Sequence, residues 1–298
     1  MDSYDVIIIG GSYAGLSAAM ALGRSLRKVL LIDAGEPCNR QTPHSHNFLT
    51  QDGETPAIIS AEAKAQVLAY PTVKFYDGLA IQAEKIKQGF AISTADGQRF
   101  EARKLILAMG IKDVFPNIKG FAECWGISVL HCPYCHGYEV AKQPLGVIAN
   151  GDMAFEFAKM IYNWSPELTL FTNGPSTLSQ AQTEHFKAKN IKIVSTEIAE
   201  LVHWDGQLKH VLLKDGTRHE LKAVFGRGSL EQHTPIAAQL GCTLDQQNLI
   251  IANDGQTSVP GVFAAGDCAM LFRSVAGAVA MGNKAGVYAN KELIEEDF

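Results

Sequence analysis

The sequence predicts an α/β fold, and three observations carry that prediction. Residues 5–9 (DVIII) form a short β-branched run of the kind buried on both faces of a parallel sheet. The glycine-rich turn GGSYAG comes next, followed by an apolar helical pattern, LSAAMALGRSL. A second strand, KVLLIDAG, then places Asp33 at its end, 23 residues after Gly10. Strand, turn, helix, strand and acid in this order make a βαβ unit with the spacing of a dinucleotide site.

Within the turn, Gly10, Ser12, Ala14 and Gly15 are the candidate cofactor contacts. Gly10 permits the tight turn and Gly15 permits close packing of helix on strand. The middle position lets backbone approach a pyrophosphate at the helix N-terminus. In G-x-G-x-x-G that middle position is glycine; here it is Ser12, with Gly11 beside it. A small hydroxyl leaves room or contacts phosphate itself. The alternative is a glycine-rich turn that binds nothing, and Asp33 at the expected place argues against it.

The chain's 298 residues suggest about two domains. With 26 basic and 31 acidic side chains the formal charge is −5, and 47% of residues are hydrophobic. That composition is globular, offers no basic footprint for nucleic acid, and has no cationic cluster for a membrane surface. No apolar run reaches membrane-span length, and no signal peptide is visible before the first strand. Six cysteines are too few for a secreted disulfide framework of this size, so the expected compartment is the cytoplasm.

Near the C-terminus, TSVPGVFAAGD (257–267) reads as a turn, a short buried strand and Gly266-Asp267. Arg273 and Ser274 follow, then a helix of small residues, SVAGAVAMGNKAGVYANKELIEE. This segment resembles the second FAD signature of the flavoproteins with two dinucleotide-binding domains, in which the aspartate holds the ribityl chain. LILAMG (105–110) is similar to their A-T-G strand, with Met109 in place of threonine and Gly110 closing it. The resemblance implies FAD as cofactor, with Gly266, Asp267 and Gly110 as contacts.

Cys132-Pro133-Tyr134-Cys135 is the chemical centre of the sequence. Two cysteines at C-x-x-C spacing can close a small disulfide whose thiolates are stabilised by nearby donors. Three other readings compete. HCPYCH offers four zinc ligands, but no second ligand pair follows. C-x-x-C-H is also the covalent haem pattern, which normally goes with export. Two reduced structural cysteines are the plainest reading. The redox disulfide accords best with an FAD domain in the same chain. Cys38, Cys124, Cys242 and Cys268 are isolated in sequence and read as small buried hydrophobes.

An FAD domain with C-x-x-C in a middle domain resembles the low-molecular-weight thioredoxin reductases over nearly the whole chain. The resemblance implies two Rossmann-like, three-layer domains, the second inserted into the first. Residues 1–115 and 246–298 would form the FAD domain and 116–245 the inserted one, with loop-like PNIKG and DQQN at the crossings. It further implies a homodimer, Cys135 facing the flavin as the charge-transfer thiolate, and Cys132 exchanging with substrate sulfur. The family's proton-transferring Asp after the motif is His136 here; an imidazole can do the same work at neutral pH, unless His136 is only a surface residue. Asn47 matches the family's flavin-proximal asparagine in N-F-P-G, although Leu49-Thr50 replace Pro-Gly. The acidic tail ELIEEDF reads as a solvated helix end, with Phe298 covering a partner's flavin as the functional alternative.

The second nucleotide motif departs most. After LGVIA the expected G-x-G-x-x-G/A reads Ala149, Gly151, Ala154, and loses its tight-turn glycine. The strand LTLF (168–171) runs into TNGPSTL, and no Arg or Lys lies between Lys159 and Lys187 to hold a 2′-phosphate. That pattern resembles the subgroup of gliotoxin- and holomycin-type dithiol oxidases and of ferredoxin- or flavin-linked disulfide reductases. The expectation is an FAD-dependent thiol–disulfide oxidoreductase acting on a dithiol or disulfide, either a small molecule or a thioredoxin-like protein, with O₂ or ferredoxin as redox partner and NADPH a poor donor. NADPH-dependent thioredoxin reduction is the alternative within enzymes, and a flavin-binding redox sensor the alternative outside them.

Overall fold

The computed structural model describes residues 3–298. The chain divides into two compact units. The first comprises the residues through Arg40, Phe48–Lys112 and Leu230–Phe298; the second comprises Gln41–Asn47 and Asp113–Ser229. The return to the first unit falls at Leu230, earlier than residue 246. Ile236, Ala237, Cys242 and Ile250 explain this, because all four are buried in the first unit's core with Ile7, Leu105 and Val262.

In the first unit, β1 (Ser3–Ile9), β2 (Val29–Asp33), β3 (Val73–Asp77), β4 (Ala80–Ile86), β5 (Gly89–Thr94) and β6 (Arg99–Leu107) form one sheet in the order β3-β2-β1-β6-β5-β4. The pairs β1–β2, β2–β3 and β1–β6 are parallel, whereas β4 and β5 are antiparallel additions. Helices α1 (Tyr13–Arg24) and α2 (Pro56–Leu68) pack with this sheet's core. Apolar runs such as DVIII are buried on both faces, which is why they do not alternate.

The second unit repeats the plan. Strand β7 (Lys112–Val114) carries the crossing into it. After the short helix α3 (Phe121–Cys124) come β8 (Val129–Leu130), the one-turn α4 (Pro133–His136), β9 (Leu145–Ile148), α5 (Gly151–Ile161), β10 (Leu168–Phe171), α6 (Gln180–Ala188) and β11 (Lys192–Val194). An antiparallel trio, β12 (Ile198–Trp204), β13 (Gln207–Leu213) and β14 (Arg218–Glu220), precedes β15 (Ala223–Gly226). The parallel sheet runs β11-β10-β9-β15-β8. The order reverses beside β1 in the first sheet and beside β9 in the second, and a ligand crevice belongs at the strands' carboxyl ends there.

The chain ends in the first unit with β16 (Ser229–Glu231) at the crossing, α7 (Ile236–Gln239), β17 (Val262–Ala264) paired parallel to β6, and α8 (Val275–Asp297). The small residues of α8 have a packing cause: a Cβ on Gly282 would lie 2.0 Å from the Ala14 carbonyl oxygen, so α8 and α1 meet backbone to backbone. No helix among the described residues is long and apolar enough to cross a membrane.

The acidic tail is not a free solvated end. Lys104, 7% exposed, donates to Glu292 and Glu296 at 2.6 Å each, while Arg103 and Arg27 hold Asp297. Phe298 beyond them is exposed. Burial opposes ionisation of Glu296, but hydrogen bonds from Lys104 and Arg103 hold its carboxyl below the ordinary value. A lowered carboxyl value stabilises the fold at neutral pH, and that contribution is lost as pH falls through the carboxylate range. Lys104→Met should therefore lower stability by about 1–2 kcal/mol at pH 7 and by less at pH 4. Thermal unfolding at the two pH values checks this; an equal loss at both would contradict it.

Candidate functional site

In the first unit, the turn after β1 is shaped by what glycine lacks. Gly10 has φ +104°, and a Cβ there would lie 2.1 Å from the Ala108 carbonyl oxygen. A Cβ on Gly15 would fall 1.8 Å from the Gly10 carbonyl oxygen. The Gly11 N–H donates to Asp33 Oδ1 at 2.9 Å and the Gly35 N–H to Asp33 Oδ2 at 3.3 Å, so the acid ties the turn to the end of β2. A carboxylate retains acceptor capacity for a ribose beyond those two bonds. Ser12 is the N-cap of α1, in extended conformation, and its side chain makes no capping bond. The first-turn N–H groups of α1 are thus left for an anion, as a pyrophosphate requires.

The second segment meets the same place through β17, beside β6. Gly266 has φ +78°, and a Cβ on it would lie 2.9 Å from the Ala14 Cβ. Asp267 accepts from Arg273 Nε at 3.0 Å, both side chains being nearly buried. Ser274 caps α8 by accepting from the Gly277 N–H, so its hydroxyl oxygen is partly committed. Gly110, with φ +67°, follows β6. These residues lie at the carboxyl ends of β1, β2, β6 and β17, where glycines leave room beside the start of α1 and the Ser12 side chain makes no capping bond. That arrangement fits FAD, which when bound supplies an acceptor or donor of two electrons.

Cys38 differs from expectation. It is exposed, with Sγ 3.5 Å from Asp267 Oδ2, while Cys124, Cys242 and Cys268 are buried. Burial, then the Asp267 charge, pushes the Cys268 thiol up to about 12, which leaves it inert.

In the second unit, Cys132 and Cys135 are joined as a disulfide with a Cα–Cα distance of 5.3 Å. They follow the carboxyl end of β8, and Cys132 is the N-cap of α4, its Sγ accepting from the Cys135 N–H at 3.2 Å. Pro133 opens the turn with its φ fixed. Gly137 is required because a Cβ there would lie 2.4 Å from the Pro133 carbonyl oxygen and 2.7 Å from Trp164. Cys132 is buried and Cys135 half-buried, so the sulfur expected to meet substrate is the less accessible of the two. Among the described residues, no group of three or more His, Cys, Asp or Glu is arranged to hold a metal ion.

His136 is also not the ordinary imidazole the sequence suggested. Burial, then the nearby His46, pushes it down to about 4, so it is neutral at pH 7. His46 lies in the 41–47 segment, which belongs to this unit with Asn47, the latter at φ +61°. His46 Nε2 lies 3.5 Å from Glu139 Oε1, and the His44 ring is 6.4 Å from that of His46. Sequence reasoning missed His44, His46, Glu139 and Trp164. The one available signal was the H-S-H triplet running into Asn47.

The inserted unit's own nucleotide turn differs from its counterpart in the first unit. Positive φ falls at Gly151 (+64°), and Ala149 needs none, so the missing glycine costs nothing there. Asn150 caps α5: its Oδ1 accepts from the Gly151 N–H and Thr177 N–H at 2.9 Å and from the Thr177 hydroxyl at 3.1 Å. Its Nδ2 donates to the Pro175 carbonyl, which draws the 175–177 loop over the helix start. Asp152 adds a carboxylate in the first turn.

A parallel-sheet unit cradling FAD and a second unit carrying a closed C-x-x-C disulfide define a flavin-dependent disulfide oxidoreductase. The chain belongs to the pyridine nucleotide-disulphide oxidoreductase family, whose model matches residues 4–282. It is 33% identical to thioredoxin reductase tcpT of Claviceps purpurea over 98% of this chain and 95% of that protein. Among solved structures, an oxidoreductase from Agrobacterium tumefaciens is 40% identical with a TM-score of 0.93, covering 98% of this chain and 99% of its own. HlmI is 32% identical with a TM-score of 0.93, covering 99% and 94%.

Proposed function

We propose that this enzyme exchanges electrons between a dithiol or disulfide substrate and FAD through Cys132 and Cys135, without NADPH as an efficient donor. The contrast between the two nucleotide turns carries this reading. Where FAD fits, Ser12 leaves the start of α1 open; where a pyridine nucleotide would go, Asn150 and Thr177 fill the start of α5. Asp152 stands there as well, and the segment after β10 carries no cation, so a phosphate at the start of α5 would meet a carboxylate.

In the thiol half-reaction, a substrate thiolate attacks Cys132 Sγ, the Cys132–Cys135 bond breaks, and Cys135 leaves as thiolate. The second substrate thiol gives its proton to neutral His136 and attacks the mixed disulfide. The substrate leaves as disulfide, and the enzyme's sulfurs hold its two electrons. Run backwards, the same steps reduce a disulfide, and relative potentials set the direction. O₂ in the oxidising direction or ferredoxin in the reducing one completes the cycle. Gly10, Ser12, Ala14, Gly15, Asp33, Gly110, Gly266, Asp267, Arg273 and Ser274 hold the cofactor, with Asn47 as the contact that the resemblance adds. The working form is a homodimer in the cytoplasm.

Titration calorimetry of the oxidised holoenzyme with micromolar NADPH tests the nucleotide part. No saturable binding is expected, and stoichiometric binding would overturn it. NADPH-dependent thioredoxin reduction is the second reading, favoured by the name that tcpT carries. A coupled assay with NADPH and thioredoxin separates the two.

A further inference from the structure

We propose that the second unit carries a binding site for a small zwitterion, a free amino acid with an apolar side chain, at the amino-terminal ends of β9, β10 and β11. A cavity of about 240 Å³ opens there between the parallel sheet and β14. Glu167 immediately precedes β10, Lys192 begins β11, and Arg218, His219 and Glu220 are β14 itself. The disulfide follows the carboxyl end of β8, which runs parallel to β15 and β9. The cavity therefore lies at the opposite end of the strands from the redox pair and takes no part in electron transfer.

Thr169 on β10 carries the assignment. It is 7% exposed and lines the cavity, and its hydroxyl makes no hydrogen bond to any described residue. A buried hydroxyl without a partner costs stability, and a polar ligand in the cavity supplies the missing bond. Register fixes the face it takes. Thr169 pairs with Gly146 on β9 and with Lys192 on β11, whereas its chain neighbours Leu168 and Leu170 are buried with Phe186 on the other face. Two residues on, Phe171 shares the Thr169 face and meets the His219 ring edge-on, with centroids 5.2 Å apart. A Cβ on Gly146 would lie 2.7 Å from Val224 Cγ1, so the position beside Thr169 carries no side chain. A hydroxyl, the Lys192 ammonium and the His219 imidazole thus line one cavity, a donor set suited to a carboxylate.

The rim adds the opposite sign. Arg218 is a second cation, but Glu167 and Glu220 are carboxylates. With Lys192 they make four exposed charged groups, none in an ion pair among the described residues. The two carboxylates oppose a dianion such as a phosphate ester, and the two cations oppose a simple amine. A molecule with one charge of each sign, its carboxylate toward Thr169 and Lys192 and its ammonium toward Glu167 and Glu220, satisfies both. Leu221, whose Cδ1 would lie 3.0 Å from a Cβ on Gly146, supplies an apolar wall for a short side chain.

Ligand-observed NMR on the oxidised holoenzyme tests this with L-leucine as the probe. Isocaproate and isoamylamine are the controls, the same carbon skeleton without the amine or without the carboxylate. L-Leucine should bind saturably at millimolar concentration, and each control should bind about tenfold more weakly or not at all. Thr169→Val keeps the side chain's shape and removes the hydroxyl, while Lys192→Gln removes an exposed charge. Each should weaken L-leucine by about five- to tenfold. If Thr169→Val does not fold, Lys192→Gln decides, since an exposed side chain on an edge strand is not needed for the core. Absence of saturable L-leucine binding, equal binding of isocaproate, or affinity unchanged in Lys192→Gln or in folded Thr169→Val would overturn the proposal.

Discussion

Cys132→Ser and Cys135→Ser should each abolish dithiol turnover, by on the order of 10³-fold or more, while leaving flavin content unchanged. The two sulfurs act as one unit, since neither can be oxidised or reduced by two electrons without the other. Each variant also leaves the flavin cradle untouched, because Gly10, Asp33 and Asp267 lie in the other unit. The serine oxygen is smaller than sulfur, and at the α4 cap it can still accept from the Cys135 N–H, so folding should survive. The pair can be told apart by absorbance. The role split implied by the thioredoxin reductases gives Cys135 the charge-transfer thiolate. Long-wavelength absorbance is then expected in Cys132→Ser and not in Cys135→Ser. The burial of Cys132 relative to Cys135 makes this comparison the more informative one. The opposite spectra would exchange the roles of the two sulfurs.

Gly10→Ala should yield a protein that purifies without flavin and is destabilised by about 3 kcal/mol or more. Two effects add. The residue sits at φ +104°, outside what an L side chain adopts readily, and the new methyl would lie 2.1 Å from a backbone oxygen of Ala108 that cannot rotate away. Gly35→Ala is the control, with φ +76° but no atom within 4 Å of the new methyl, and should cost only about 1 kcal/mol. Similar losses in the two variants would mean that strain alone, and not close approach at the turn, explains Gly10. Ser12→Gly, by contrast, should keep its flavin, because the Ser12 side chain makes no capping bond that the glycine would remove.

Much of this architecture was legible in the sequence because it rests on local rules. DVIII, GGSYAG and KVLLIDAG occupy β1, the turn and β2, with Asp33 at the end of β2 accepting from the Gly11 N–H of the turn. TSVPGVFAAGD leads into β17 and the Asp267–Arg273 pair. What escaped depends on packing between distant segments. The docking of ELIEEDF needs Lys104 and Arg103 from β6, nearly two hundred residues earlier, so the tail alone reads as solvated. The cluster around His136 needs the 41–47 segment to join the second unit, which no composition shift announces. The neutral state of His136 follows from burial first and from the nearby His46 second, neither of which a C-x-x-C-H string contains. Ala149 misled for a related reason: the register of the turn moved the positive φ to Gly151.

An anaerobic titration of the oxidised holoenzyme, following flavin absorbance with a dithiol in one cuvette and NADPH in another, tests the central claim most directly. Stoichiometric bleaching by the dithiol, lost in Cys132→Ser, with no rapid change on adding micromolar NADPH, is the predicted result. Rapid bleaching by NADPH, or dithiol bleaching that survives in Cys132→Ser, would contradict it.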